Sequence, residues 1–115
     1  MSMTLYGIKA CDTMKKARTW LDEHAKSYVF HDYKSLGIDH ANLQKWCEQH
    51  GWEKVLNRSG TTFRKLDEAQ KTNLNQDQAI ALMLAQPSMI KRPVLDLGAS
   101  SLLGFKPELY AQVLS

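Results

Sequence analysis

Met3-Thr4-Leu5-Tyr6-Gly7-Ile8-Lys9-Ala10-Cys11-Asp12-Thr13 is the stretch on which the fold turns. Met3 to Ile8 alternates and is rich in strand formers, whereas Lys9 to Thr13 has the polar character of a helix start. From there Met14, Ala17, Leu21 and Ala25 recur at helical spacing, with Lys15, Lys16, Arg18 and Glu23 on the wet side, so one amphipathic helix is predicted to about His24. Tyr28 to Tyr33 is compact, aromatic and β-branched, and it follows a helix of crossover length. The opening therefore reads as a βαβ unit whose two strands run parallel.

Beyond Gly37, Asp39 is placed to cap a helix with Leu43, Trp46 and Cys47 on its apolar face, ending near Gly51. A short helix is expected from Trp52 to Leu56, then a polar loop from Asn57 to Thr62, then a stretch of helical composition from Phe63 to Thr72. Asn75 or Asp77 caps a further helix through Ile80, Leu82, Met83 and Leu84, which stops before Pro87 because the residue preceding proline is pushed out of helical geometry. Pro93 to Leu97 and Ser100 to Gly104 are short apolar runs joined by Gly98-Ala99, the spacing of a tight hairpin. Pro107 opens a last helix with Leu109, Val113 and Leu114 as its expected buried face.

The resulting order is β-α-β, a helical insertion at about 38–88, then β-β-α: an α/β chain in the thioredoxin-like order, read as a single domain over 1–115. The 115 residues, 43% hydrophobic and 23% charged, suit one globular core. No apolar run approaches the roughly 18 residues of a membrane span. The start lacks the basic and apolar regions of a secretory leader, so a cytoplasmic setting is expected. The net charge of +3 is scattered among acidic residues, which argues against nucleic acid and leaves room for a small anion if cations converge.

Chemistry centres on Cys11. It falls between the first strand and its helix, where free backbone N–H groups and the helix dipole stabilise an anion, and the thiolate is the nucleophilic form of cysteine. Free cysteine is also often a small buried hydrophobe, and position alone leaves both readings open. Cys47 beside Trp46 reads as core. Met14 stands where a Cys-x-x-Cys motif would carry its second thiol, so the site is monothiol, and an oxidised intermediate is resolved by an external thiol, with glutathione the cytoplasmic candidate, by Cys47 after a rearrangement, or not at all. The four histidines show no metal-ligand spacing, and no metal is assigned. Arg58, Arg64 and Arg92 offer planar forks for an oxyanion, and Arg92-Pro93 is a bond at which a cis peptide can occur.

Leu5-Tyr6-Gly7-Ile8-Lys9-Ala10-Cys11-Asp12-Thr13, Asn57 to Leu66, and Ile90-Lys91-Arg92-Pro93-Val94 together resemble the opening, central loop and late arginine-proline motif of the arsenate reductase (ArsC) and Spx family. The nearest likeness is to its YffB-like branch, with Gly-Ile-Lys before the cysteine. The resemblance implies a thioredoxin-like fold with a helical insertion, Cys11 as nucleophile, and Pro93 as a cis-proline facing the thiol. It also implies that Arg92 helps bind or stabilise an anion; with Lys9 and Arg58, read from position and residue type, the candidate anion site is Lys9, Arg58, Arg92, Pro93 and Lys106. Lys106 stands where the arsenate enzymes carry their last arginine, and their central-loop arginine aligns nearer Asn57 than Arg58. The implied activity is a glutathione-linked thiol oxidoreductase acting on a small oxyanion or disulfide, with glutathione as co-substrate, glutaredoxin as a partner, no tightly bound cofactor, and a monomeric state. The alternatives within the resemblance are true arsenate reduction and an Spx-like redox sensor that binds RNA polymerase.

Overall fold

The computed structural model describes residues 3–114. In chain order it holds β1 (Thr4–Gly7), α1 (Asp12–Glu23), β2 (Val29–Asp32), α2 (Tyr33–Leu36), α3 (His40–His50), α4 (Trp52–Val55) and α5 (Thr61–Arg64). These are followed by α6 (Glu68–Lys71), α7 (Gln76–Ala85), a 3₁₀ turn (Pro87–Met89), β3 (Val94–Asp96), β4 (Ser101–Leu103) and α8 (Pro107–Leu114). Two compact units are formed, one from the chain up to Tyr33 together with the chain from Arg92 onward, the other from Lys34–Lys91.

The first unit carries one mixed four-stranded sheet in the order β2-β1-β3-β4. β1 pairs parallel with β2, Gly7 opposite Asp32, as a helical crossover requires. It pairs antiparallel with β3, Tyr6 opposite Val94, and β3 pairs antiparallel with β4, Val94 opposite Leu103. This register has a direct consequence for function. The chain leaving β1 toward Cys11, the chain leaving β2 at Tyr33, the chain entering β3 through Arg92-Pro93 and the chain leaving β4 toward Lys106 all lie at one end of the sheet.

Leu5 and Leu95 pack with Met14, Ala17 and Leu21 of α1 and Tyr110 of α8 to form the core of this unit. The 3-4-residue spacing of the α1 residues is the stripe expected of an amphipathic helix. Gly7 allows α1 to lie close on β1, since a Cβ there would collide with the Met14 thioether. Ala25, counted above in the helical pattern, lies past the end of α1, exposed and at positive φ. The strand expected through Tyr33 ends at Asp32.

The last helix turns differently from expectation. Its buried residue is Tyr110, while Leu109 and Leu114 are half-buried and Val113 is exposed. The reason is aromatic packing: Tyr110 meets Trp20 and Phe105 edge-on, with ring centroids 5.5 and 4.9 Å apart, contacts that an aliphatic side chain at Val113 does not make. Among the described residues its hydroxyl has no hydrogen-bond partner, and burial pushes its pKa well above the ordinary phenol range. An unpaired buried hydroxyl is a cost of order 1–3 kcal/mol. Tyr110→Phe, which keeps the ring and removes the orphan oxygen, is therefore expected to raise stability by about 1 kcal/mol. Urea unfolding monitored by tryptophan fluorescence checks this, and a loss of stability would reveal an unseen partner for the hydroxyl.

The second unit is helical. Asp39 caps α3 as predicted, its carboxylate accepting from the Asn42 N–H at 2.8 Å. Asn75, not Asp77, caps α7 by accepting from the Gln78 N–H. Leu43, Trp46, Cys47, Val55, Leu56, Phe63, Ala79, Ile80, Met83, Met89 and Ile90 are its buried apolar residues. α7 presents Ala79, Ile80 and Met83 inward, and Leu84 is 37% exposed. The stretch from Phe63 to Thr72 is split, since Asp67 and Gln70 form a capping box that starts α6 afresh. No helix of the described residues is long and apolar enough to cross a membrane.

Candidate active site

Cys11 occupies the N-cap of α1 with extended backbone (φ −148°, ψ 128°), and its carbonyl accepts the first helical hydrogen bond from Lys15 N–H at 3.0 Å. The thiol is half-buried. Its side chain makes no cap hydrogen bond of strict geometry, yet the N–H groups of Met14 and Thr13 act on the sulfur, as does the Arg92 guanidinium. Partial burial by itself raises the thiol pKa. The Met14 and Thr13 amides and the hydrogen bond and charge of Arg92 outweigh it, so the net shift is downward.

Arg92 is half-buried ahead of β3, and its peptide bond to the buried Pro93 is cis. The Pro93 carbonyl accepts from the Gly104 N–H at 2.8 Å, which ties this turn to the end of β4. On Arg92 also converges Tyr33, fully buried at the end of β2. Burial drives the Tyr33 hydroxyl far above its ordinary range, a rise only partly offset by the charge and hydrogen bond of Arg92. Tyr33 thus remains a neutral phenol and fixes Arg92 without competing for its charge. Cys11, Arg92 and Tyr33 form one electrostatically linked group.

Lys9, exposed, and Cys11 both line a groove of about 530 Å³ that continues along α1 past Lys15, Arg18 and Asp22. Lys106 is exposed just before α8 and is not among the groove-lining residues. Arg58 belongs to the helical unit, exposed, with its guanidinium 5.8 Å from the centre of the Trp52 ring. Cys47 is 3% exposed inside α3, and burial together with the neighbouring Glu48 pushes its thiol up to about 11. Among the described residues no group of three or more His, Cys, Asp or Glu is arranged to hold a metal ion.

Sequence reading missed Tyr33, which looked like the last residue of a strand, and Arg18, which looked like solvated helix surface. A signal for the first did exist: in a parallel pair, residues just past the two strands end up side by side.

The two thiols have opposite shifts, and reactivity toward iodoacetamide should follow. The thiolate is the attacking species. Lowering the Cys11 pKa preserves its reactivity as pH falls toward neutrality, whereas Cys47, near 11 and buried, stays protonated and shielded. At pH 7 Cys11 is expected to be modified at least about tenfold faster than Cys47. Peptide mass spectrometry of a quenched time course reads the two rates, and equal rates would overturn the activation of Cys11.

Comparison with known proteins bears on the family and the fold. The solved structure of the YFFB (PA3664) protein is 69% identical, with a TM-score of 0.96, covering 98% of this chain and 99% of that one. An arsenate reductase (ArsC) related protein from Brucella melitensis is 52% identical, with a TM-score of 0.77, covering 100% of this chain and 96% of its own. The global transcriptional regulator Spx of Bacillus subtilis is 27% identical over 95 residues, which are 81% of this chain and 72% of the regulator. With the ArsC family model matching residues 6–113, from the middle of β1 to the last turn of α8, the chain belongs to the ArsC family and has its thioredoxin-like fold.

Proposed function

We propose that this protein is a glutathione-linked thiol oxidoreductase in which Cys11 is the single nucleophile. The observation that carries the reading is the placement of a half-buried thiol at the N-cap of α1, with the Met14 and Thr13 amides and the Arg92 guanidinium acting on its sulfur. The Cys11 thiolate attacks one sulfur of a glutathione mixed disulfide. A Cys11–glutathione disulfide forms, the substrate S–S bond breaks, and the substrate leaves as a thiolate that takes a proton from water. A second glutathione thiolate then attacks the Cys11-bound glutathione, releasing oxidised glutathione and regenerating the Cys11 thiolate. The substrate disulfide is reduced and two glutathione molecules end as one disulfide. Met14 cannot take the place of that second thiol, being a thioether and 1% exposed. Arg92 stabilises the thiolate before attack, and the reducing cytoplasm supplies both glutathione and glutaredoxin.

The test is NADPH oxidation coupled through glutathione reductase, with a small mixed disulfide as substrate. Turnover that requires both protein and glutathione supports the reading, and its absence removes it. Arsenate in place of the disulfide, with glutaredoxin added, asks whether the same thiolate attacks an oxyanion. Lys106, a point charge where the arsenate enzymes have arginine, makes the disulfide the better-supported substrate.

The likeness to Spx favours a second reading, a redox-sensing partner of RNA polymerase. The switch of those regulators is a Cys-x-x-Cys pair, and Met14 replaces its second thiol here. Pull-down of RNA polymerase with and without oxidant separates a regulator from an enzyme.

A further inference from the structure

Cys11, Lys15, Arg18 and Asp22 follow one another at steps of four, three and four residues, which aligns them along one face of α1. That face is one wall of the groove that starts at Cys11. The three groove cations are not equivalent. Lys9 and Lys15 are exposed, flexible chains. Arg18 is half-buried and held at two points: its guanidinium carbon lies 4.5 Å from the centre of the Phe30 ring, and its Nε donates to the Tyr28 hydroxyl at 3.3 Å. Both contacts come from the segment leading into and through β2, so the guanidinium is braced against the sheet.

Among the described residues Arg18 has no carboxylate within ion-pair distance, although Asp22 lies one turn along the same face. With Nε occupied by Tyr28 and the ring face by Phe30, the two terminal nitrogens keep their N–H donors for a ligand. A rotationally fixed fork with open donors is the arrangement that grips a carboxylate in bidentate fashion, and it loses little side-chain freedom on binding.

Resting on the glutathione-linked reading above, we propose that Arg18 is a specificity residue of this groove: it receives a carboxylate of the peptidic thiol or disulfide whose sulfur reacts at Cys11. The distances agree. Seven residues of helix separate Arg18 from Cys11, about 10 Å along the axis, and an extended tripeptide spans about 10 Å. Asp12 and Asp22 in the same lining give the groove both signs of charge. That suits a ligand with carboxylates and an ammonium group, as glutathione has, better than a simple oxyanion.

The experiment is single-turnover formation of the Cys11 mixed disulfide, followed by intact-protein mass spectrometry with two probes, oxidised glutathione and uncharged 2-hydroxyethyl disulfide. Arg18→Gln is expected to slow the reaction with oxidised glutathione about tenfold and to leave that with 2-hydroxyethyl disulfide within about twofold, with Arg18→Lys in between. Equal slowing with both probes would reduce Arg18 to a structural brace of α1 on β2 and overturn the proposal. An unchanged rate with oxidised glutathione would overturn it as well. The readout needs no catalytic cycle. Discrimination lost in Arg18→Gln, alongside a wild type silent in the NADPH-coupled assay, would uphold the groove assignment and fail the enzymatic reading instead.

Discussion

Cys11→Ser is expected to lower disulfide turnover by roughly a thousandfold or more while leaving the fold intact. Serine is close to isosteric with cysteine and is favoured at a helix N-cap, so α1 gains a capping oxygen where the sulfur makes no strict cap bond. What it loses is the ionised nucleophile. The amides of Met14 and Thr13 and the guanidinium of Arg92 lower the pKa of the thiol against the opposing effect of its burial, but an aliphatic hydroxyl starts so far above a thiol that the same three groups do not ionise it. The check is the NADPH-coupled assay run beside thermal denaturation. Retained turnover would move the chemistry to another residue, and a collapsed melting transition would call for Cys11→Ala as the replacement test.

Arg92→Ala is expected to lower the alkylation rate of Cys11 at pH 7 by about tenfold, a difference of about 1.4 kcal/mol in the free energy of the thiolate. The sign follows from its role. Arg92 contributes a hydrogen bond and a positive charge that both lower the Cys11 pKa, so its removal moves the rate-versus-pH midpoint upward and shrinks the thiolate fraction at any pH below it. At pH well above both midpoints the two proteins should react alike, because both thiols are then ionised. Tyr33 is left behind as a buried phenol without the guanidinium that partly offsets its burial, so some loss of stability accompanies the change. Arg64→Ala serves as the control. Arg64 is exposed at the end of α5 in the helical unit and should leave the midpoint where it is. Equal shifts for the two variants, or none, would show that Arg92 does not tune the thiol.

Both predictions turn on a residue that could be singled out from the sequence and a neighbourhood that could not. Cys11 was visible because two local signals meet there, a strand pattern of period two and a helical pattern of period 3.6, and the junction of a strand and a helix leaves unpaired N–H groups. Arg92-Pro93 is marked in the sequence by the planar fork of arginine and the cis-capable X-Pro bond, and only the family resemblance ties it to Cys11. Tyr33, which lies against Arg92, is marked only by its place just past the second strand of a parallel pair.

Local order was therefore legible in the sequence alone: the strand-helix-strand succession of the opening, the Asp39 cap, the stop before Pro87 and the turn of the closing hairpin. Each is decided by dihedral preferences and hydrogen bonds within a few residues, and those are written in the chain. The tertiary structure decided the rest. The choice of Tyr110 over Val113 as the inward residue of α8 depends on Trp20 arriving from α1 at the other end of the chain. The pairing of Arg92 with Cys11 and Tyr33 depends on β3 running antiparallel beside β1 while β2 runs parallel on its other side. The bracing of Arg18 depends on β2 bringing Phe30 beneath α1. Strand order and register are set by burial summed over the sheet, not by any short segment, so the residues that surround the thiol are known only once the sheet has formed.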